Sequence, residues 1–181
     1  EEIEAAKGSM SSFAFRQEFL ASFEAAGGAI FSEDWIEFDT EEPAEGDYYI
    51  SVDLAGFADI EKATTSKQKK LDTTSISVVK CGPDGWWIDN IIYGRWDVKK
   101  TADKIFQAVR DYQPIAIGVE KGALKNAVHP YLLDKMKQEQ FFFRVEELTH
   151  GNKRKTDRII WALQGRFEHG QITLNEGEWN T

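Results

Sequence analysis

The sequence predicts an α/β protein with one mixed five-stranded sheet, in which three antiparallel strands are followed by parallel strands and helices flank the sheet. Two segments of alternating apolar residues surround a Gly-Pro-Asp-Gly turn, as in a β-hairpin. Further apolar strands are separated by segments with helical periodicity, as crossover connections between parallel strands require. The chain has 181 residues, of which 41% are hydrophobic, so it can bury the core of one ordinary domain with an appendage.

Residues 1–46 are predicted to be a linker segment that precedes the main domain. Phe15, Phe19 and Phe23 are four residues apart, which indicates a helix. An acidic connector follows and ends in EEPAEG at residues 41–46, where proline and glycine mark its exit. The main domain is therefore predicted to span residues 47–181.

The main domain is predicted to begin with three antiparallel strands. In the first, Tyr48 to Leu54, the apolar residues share one face while Asp53 lies on the other. The segments at 73–80 and 86–94 form the hairpin.

The second half of the chain is predicted to alternate helices with strands, which adds parallel strands to the sheet. The elements in order are a helix capped by Asp97, a strand at 115–119, a helix at 124–137 or beginning near His129 because of Pro130, a strand at 141–148, a helix at 153–167 and a short strand at 171–174.

Charge and cysteine content exclude several classes of protein. The net charge of -9 opposes general attraction to nucleic acid or to anionic membranes, so any DNA contact requires a local basic patch. The single cysteine, Cys81, excludes an internal disulfide and a cysteine-rich metal site. No apolar run approaches the roughly 18 residues of a membrane span, and the acidic start is unlike a signal peptide, so we expect a soluble intracellular protein.

Two acidic residues end predicted strands that are far apart in the chain. Asp53 ends the first strand and Glu120 ends the fourth. If these strands are adjacent and parallel, the two carboxylates lie within about 5 Å, one strand spacing, and like charges at that distance require a cation between them. This arrangement is that of a two-metal phosphodiesterase site. For each acid alone, a turn or cap role is the competing interpretation.

A basic segment interrupts the otherwise acidic sequence. Residues 151–166 contain five basic residues and one Asp. A charged run is usually a solvated helix face, but this one follows the strand expected to border the two acids, which favours contact with phosphate. The predicted DNA-binding residues are Lys153, Arg154, Lys155 and Arg158.

The order of elements and the two acids are those of ribonuclease H-like nucleases, and several motifs narrow the resemblance. Together they resemble the C-terminal nuclease domain of the large terminase subunit of tailed bacteriophages, over nearly the whole chain. The motifs are SVDLAG, LDTTSISVV, IIYGRWD, IAIGVEKG and KRKTDRIIWALQGRFEHGQI. Upstream, FAFRQEFLASFEAAGGAIFSEDWI is similar to the segment that joins this nuclease to the packaging ATPase. The sequence has no GxxxxGK[ST] phosphate-binding loop, so the ATPase is expected outside this chain.

The resemblance implies an endonuclease that cuts concatemeric double-stranded viral DNA during genome packaging, with two Mg²⁺ or Mn²⁺ ions. Asp53 would bridge both ions and Glu120 would hold one. Asp72 is near the start of the second strand, where the family also favours an acid, although a loop-ending hydrogen bond explains it equally well. Hard oxygen ligands suit these cations.

The resemblance also implies partners and a location. The partners would be double-stranded DNA, the ATPase domain in cis, the small terminase subunit and the portal of the procapsid, with no membrane. The protein would act in the host cytoplasm. The isolated domain is expected to be a monomer, because no apolar surface pattern repeats.

One departure from the family concerns its third acid, an Asp on a helix after the terminal strand. The chain ends at Thr181 before such a segment, and Glu176 and Glu178 match the family position poorly. We therefore expect the C-terminal part of the domain to be missing, with weak or no cleavage by this fragment. Two alternatives follow: another ribonuclease H-like nuclease of the junction-resolvase type, and a module that grips DNA and docks onto the motor without cleaving.

Overall fold

The computed structural model describes residues 11, 31–55, 73–120, 127–149 and 154–177. The predicted N-terminal helix, Asp72, Lys153 and Glu178 lie outside these ranges. Within them the strands are β1 (Glu37–Asp39), β2 (Asp47–Asp53), β3 (Thr74–Gly82), β4 (Gly85–Gly94), β5 (Ala116–Glu120), β6 (Val145–Leu148) and β7 (Ile172–Asn175). The helices are α1 (Val98–Tyr112), α2 (His129–Glu139), α3 (Lys155–Ile159) and α4 (Gly165–Glu168), and a 3-10 turn covers Glu33–Trp35. A π-helical stretch, Ile160–Gln164, joins α3 to α4.

The strands form one mixed sheet in the order β1-β7-β4-β3-β2-β5-β6. β2, β3 and β4 are antiparallel neighbours, and β5 and β6 extend the sheet in parallel from β2. The predicted α/β class with a mixed sheet flanked by helices is confirmed. The predicted count of five strands is corrected to seven, because β7 pairs in parallel with β4 and β1 pairs with β7. The sequence predicted a strand at 171–174, close to β7, but not its pairing with β4, and the three residues of β1 are too few to show a reliable alternation.

β1 lies within residues 1–46, the segment assigned to the linker. Its pairing with β7 joins this part of the chain to the sheet of the main domain. The boundary at residue 46 remains a prediction.

The predicted hairpin is formed by β3 and β4, with Gly82 opposite Gly85. Gly85 has φ of 143°, a region that L side chains rarely adopt, and a Cβ there would lie 2.6 Å from the carbonyl oxygen of Gln171. The glycine therefore permits both the turn and the close approach of the chain that leads into β7.

Helix ends follow the predicted capping. The Asp97 side chain accepts a hydrogen bond from the backbone N–H of Lys100 at 2.7 Å, which caps α1. α2 begins at His129 with Pro130 in its first turn, so the later of the two predicted starts is observed. The predicted strand at 141–148 is shorter, because its pairs with β5 begin at Val145.

The main core lies between one face of the sheet and helices α1 and α2. The strands contribute alternate residues, as their burial patterns show for β2, β3 and β5. The largest fully buried side chains include Ile76, Ile117, Ile105, Phe106 and Leu132. The opposite face of the sheet is therefore the one that carries Asp53 and Glu120.

The buried side chain of Lys80 binds residues 40–46, the connector between β1 and β2, to the sheet. Lys80 is 8% exposed, and its ammonium donates to a Glu42 carboxylate oxygen at 2.6 Å and to the carbonyl oxygen of Pro43. The same ammonium lies 5.6 Å from the centroid of the Tyr48 ring. The hydrogen bond from Lys80 is the largest cause that lowers the pKa of Glu42, and a hydrogen bond from Tyr48 lowers it further. Burial raises the pKa of Tyr48.

We expect this ion pair to make stability depend on acid pH. Because the pKa of Glu42 is lower in the folded than in the unfolded protein, its stabilisation is present above the ordinary pKa of 4.5 and is lost as the pH falls towards the lowered value. The Glu42 side chain is 47% exposed, so its contribution should be at most about 1 kcal/mol after solvent screening. Glu42→Gln should flatten the acid limb of the free energy of unfolding, measured in urea between about pH 3 and about pH 7. Glu41→Gln, at an exposed neighbour, is the control; an equal flattening there would contradict the assignment.

Candidate active site

Two cavities of about 380 Å³ each differ in the chemistry of their walls. The first, the turn cavity, is formed by the β3–β4 turn, the connector before β2 and the start of β7, and its carboxylates lie in turns or at a strand end. Among them, Asp39 accepts hydrogen bonds from the backbone N–H groups of Thr40 and Glu41. The second, the carboxylate cavity, contains both predicted metal ligands. Its walls are Ser51, Val52, Asp53, Glu120, Leu148, Arg158, Ile159, Ala162 and Leu163.

Asp53 and Glu120 are brought together by the parallel pairing of β2 with β5. The last pair in the register is Val52 with Val119, and each acid is the next residue and the last of its strand. Parallel strands end at the same edge of a sheet, and neighbouring strands are about 4.8 Å apart. Val52 and Val119 are buried, so the two exposed acids lie on the opposite face from the main core.

The absence of a side chain at Gly118 shapes the wall beside Glu120. A Cβ at Gly118 would lie 2.6 Å from Cδ1 of Leu148, so the leucine packs directly over the glycine backbone. Gly118 is paired with Ser51 on one side, and both are small residues on the carboxylate face. These two small residues therefore make space for Leu148 and for the cavity.

The helix after β6 closes the other side of the carboxylate cavity. Arg158, Ile159, Ala162 and Leu163 are spaced by three or four residues and share one helix face. The π-helical stretch begins directly after Ile159, within this wall. Such stretches are frequent at functional sites.

The predicted DNA-binding residues occupy different positions. Arg158 lines the carboxylate cavity, and Arg154 is exposed at the N-terminus of α3. The backbone of Lys155 begins α3, whereas Lys153 lies outside the described residues. Arg166, which contributed to the basic charge of the segment, instead stacks on the Trp86 ring at 4.2 Å. It is therefore engaged in packing on the sheet.

The two carboxylates fit an oxygen-ligated divalent cation. Mg²⁺ commonly binds one or two carboxylates and completes its shell with waters and substrate phosphates. Within residues 31–55, 73–120, 127–149 and 154–177, no three side chains of His, Cys, Asp or Glu group as a metal site. Glu176 follows β7, three strands from β2 in the sheet order, or roughly 14 Å at normal strand spacing. Glu176 is thus too distant to share an ion with Asp53.

Solved structures of low sequence identity share the fold. The large terminase of a thermophilic bacteriophage, in complex with ADP, aligns with a TM-score of 0.65 and 13% identity over 96% of this chain and 40% of its own. The human cytomegalovirus terminase nuclease domain, Mn soaked, aligns with a TM-score of 0.50 and 14% identity over 81% of this chain and 77% of its own. The large terminase nuclease from thermophilic phage G20c gives a TM-score of 0.50 and 14% identity, over 82% and 75%.

The chain has the fold of a large terminase nuclease domain. It spans about two fifths of the length of the ADP-bound phage terminase. The sequence matches no protein-family model and no curated protein. Among the described residues, no helix of this terminase-like fold has the length and apolarity needed to cross a membrane.

Sequence reasoning did not identify the apolar wall of the carboxylate cavity. In the terminase-like fold, Leu148 and Leu163 line this cavity together with the two acids. The available signal was the helical spacing of Arg158, Ala162 and Leu163, which places a cation and small or apolar residues on one face. That spacing alone does not reveal which surface the face contacts.

Proposed function

We propose that this chain is the nuclease domain of a phage large terminase subunit, which cuts concatemeric double-stranded DNA during genome packaging. The proposal is carried by the convergence of Asp53 and Glu120 in one cavity of a protein with the terminase nuclease fold. Neighbouring carboxylates at the ends of parallel strands supply the negative charge and oxygen ligands that a divalent cation needs.

In the proposed reaction, Asp53 and Glu120 would hold the metal ions beside the scissile phosphate. Mg²⁺ or Mn²⁺, when bound, would supply an activated water and would neutralise charge on the leaving oxygen. A bond forms between the water oxygen and phosphorus, and the bond to one bridging ester oxygen breaks. The water loses its proton to solvent, and the leaving oxygen takes up a proton. Asp72 remains a proposed additional metal ligand.

The DNA backbone is proposed to cross the N-terminal end of α3. Arg154 is exposed there, and Lys153, Lys155 and Arg158 are its neighbours in sequence or along the helix. Phosphate contacts by these residues would position DNA without reading its sequence. The further proposed partners are an ATPase domain in cis, the small terminase subunit and the portal, in the host cytoplasm.

Incubation of the protein with supercoiled plasmid and Mn²⁺ tests this function. We expect slow formation of nicked and linear products, in keeping with weak cleavage by this fragment, and we expect the products to disappear with EDTA and with Asp53→Ala, because either change removes the bound metal. Binding of Mn²⁺, followed by electron paramagnetic resonance, should weaken in Asp53→Ala in parallel. Absence of cleavage by the unsubstituted protein would contradict the proposed function.

A module that grips DNA without cleaving is the second candidate. It is favoured by the finding that the carboxylate cavity is lined by two carboxylates, and that the described residues hold no group of three potential ligands. Retention of plasmid in a mobility-shift assay, with no product in Mn²⁺, would support this candidate.

A further inference from the structure

Arg158 differs from the other basic residues of its segment, because it lies inside the carboxylate cavity. Its side chain is half-buried and lines the same cavity as Asp53 and Glu120. Arg154, one helical turn earlier, is exposed and is not part of the cavity wall. The backbone N–H of Arg158 donates to the carbonyl oxygen of Arg154 at 3.1 Å, so Arg158 lies in the first turn of the helix that Arg154 precedes.

The surroundings of Arg158 are suited to an anionic ligand. Ala162, one turn further along the helix, has a small side chain, while Ile159, Leu163 and Leu148 make this part of the wall apolar. In an apolar setting a guanidinium interacts with an oxyanion more strongly than it does in water. Its planar fork of donors also matches phosphate oxygens geometrically.

One donor of Arg158 lacks a partner in the protein. Its Nε–H is shielded from solvent and meets no hydrogen-bond acceptor in the described part of the chain. A shielded donor without a partner is unfavourable, so the protein itself leaves part of this guanidinium unsatisfied. Arg158 thus lines the same cavity as the two carboxylates and has one unsatisfied donor.

The charges in the cavity indicate where such a ligand would lie. The two carboxylates repel a phosphodiester in the cavity unless metal ions lie between them and the phosphate. The arginine attracts the phosphodiester. The guanidinium is therefore the protein group suited to the phosphate oxygens that are turned away from the carboxylates.

We infer that Arg158 contacts a non-bridging oxygen of the scissile phosphate and stabilises the negative charge that grows there in the transition state, whereas Arg154 contacts a flanking phosphate. This inference rests on the proposed nuclease function. Within the basic segment, Arg158 would make the catalytic contact, and Lys153, Arg154 and Lys155 would make the positioning contacts. Removal of a donor that acts mainly in the transition state lowers the rate at saturation. Removal of a contact that binds substrate and transition state equally changes the affinity instead.

Single-turnover cleavage of plasmid in Mn²⁺, measured over a series of protein concentrations, tests the inference. Arg158→Ala should lower the rate at saturation by about 10²-fold, the usual effect of losing one such donor. Its half-saturating concentration should change by less than about 3-fold, because the other phosphate contacts of the basic segment remain. Arg154→Ala, the comparison variant, should raise the half-saturating concentration and lower the saturated rate far less than Arg158→Ala does.

Two further measurements separate this role from a structural one. Mn²⁺ binding and the urea midpoint of Arg158→Ala should match those of the unsubstituted protein. Arg158→Lys should fold normally and keep only part of the saturated rate, because an ammonium cannot reproduce the fork of donors. The inference is overturned if Arg158→Ala behaves like Arg154→Ala, if it loses Mn²⁺ binding, or if Arg158→Lys cleaves at the full rate. Failure of the unsubstituted protein to cleave would instead overturn the proposed function, and the inference with it.

Discussion

Asp53→Asn, Glu120→Gln and the double variant are each expected to lose Mn²⁺-dependent cleavage by about 10³-fold, which corresponds to about 4 kcal/mol of transition-state stabilisation. The physical reason is that the two carboxylates end adjacent parallel strands and line one cavity, so in the proposed mechanism they would act on the same ions. When residues act together on one reaction step, the effects of their substitutions on the rate are strongly non-additive. The double variant should therefore be little worse than either single variant.

Asp47→Asn is the matched control for this experiment. Asp47 is the first residue of β2 and Asp53 is the last, and both side chains are exposed. Loss of a carboxylate at the distant end of the same strand should leave cleavage and Mn²⁺ affinity unchanged. If the two single losses multiply in the double variant, or if Glu120→Gln binds Mn²⁺ normally, the carboxylates do not share an ion.

Phe106→Ala is expected to lower the free energy of unfolding by about 3–5 kcal/mol, the usual range for a large aromatic side chain in a core. Phe106 is 2% exposed in α1. Its ring centroid lies 5.9 Å from those of Phe141 and Phe143, which precede β6. The substitution would leave a cavity at the contact between α1 and the segment that leads into β6. Since domains are stable by only about 5–15 kcal/mol, this loss is a large fraction of the total.

Phe142→Ala provides the comparison within the same segment. Phe142 is 64% exposed, and neighbouring side chains of an extended chain point in opposite directions. Its removal should change the free energy of unfolding by less than about 0.5 kcal/mol. Urea denaturation followed by circular dichroism measures both variants. Equal losses would show that the phenylalanine cluster does not stabilise this region through burial of Phe106.

The sequence predicted the elements that carry strong local signals. The hairpin has its Gly-Pro-Asp-Gly turn, and α1 has the cap residue Asp97 followed by an apolar face. Glu120 was predicted to end the fourth strand, and the burial pattern of β5 places this acid away from the core. Each of these signals operates over a few residues, so it is visible without knowledge of the partner surface.

Elements that depend on distant partners were less accurately predicted. β1 has three residues and exists through its pairing with β7, which in turn depends on the edge of β4. The strand predicted at 141–148 is shorter because its pairs with β5 begin at Val145, while Phe141 and Phe143 precede the strand and contact Phe106. The π-helical stretch at Ile160–Gln164 had no signal that we recognised in the sequence.

The sequence by itself determined that Asp53 and Glu120 end separate strands and that a basic helix follows, because side-chain alternation and helical spacing are local properties. Only the tertiary structure decided that β2 and β5 are neighbours in register, and that Arg158 rather than Arg154 lies in the cavity with both acids. Strand order and helix docking arise from hydrogen bonds and packing between residues far apart in the chain. One sequence of apolar and charged residues is compatible with more than one such arrangement until those contacts form.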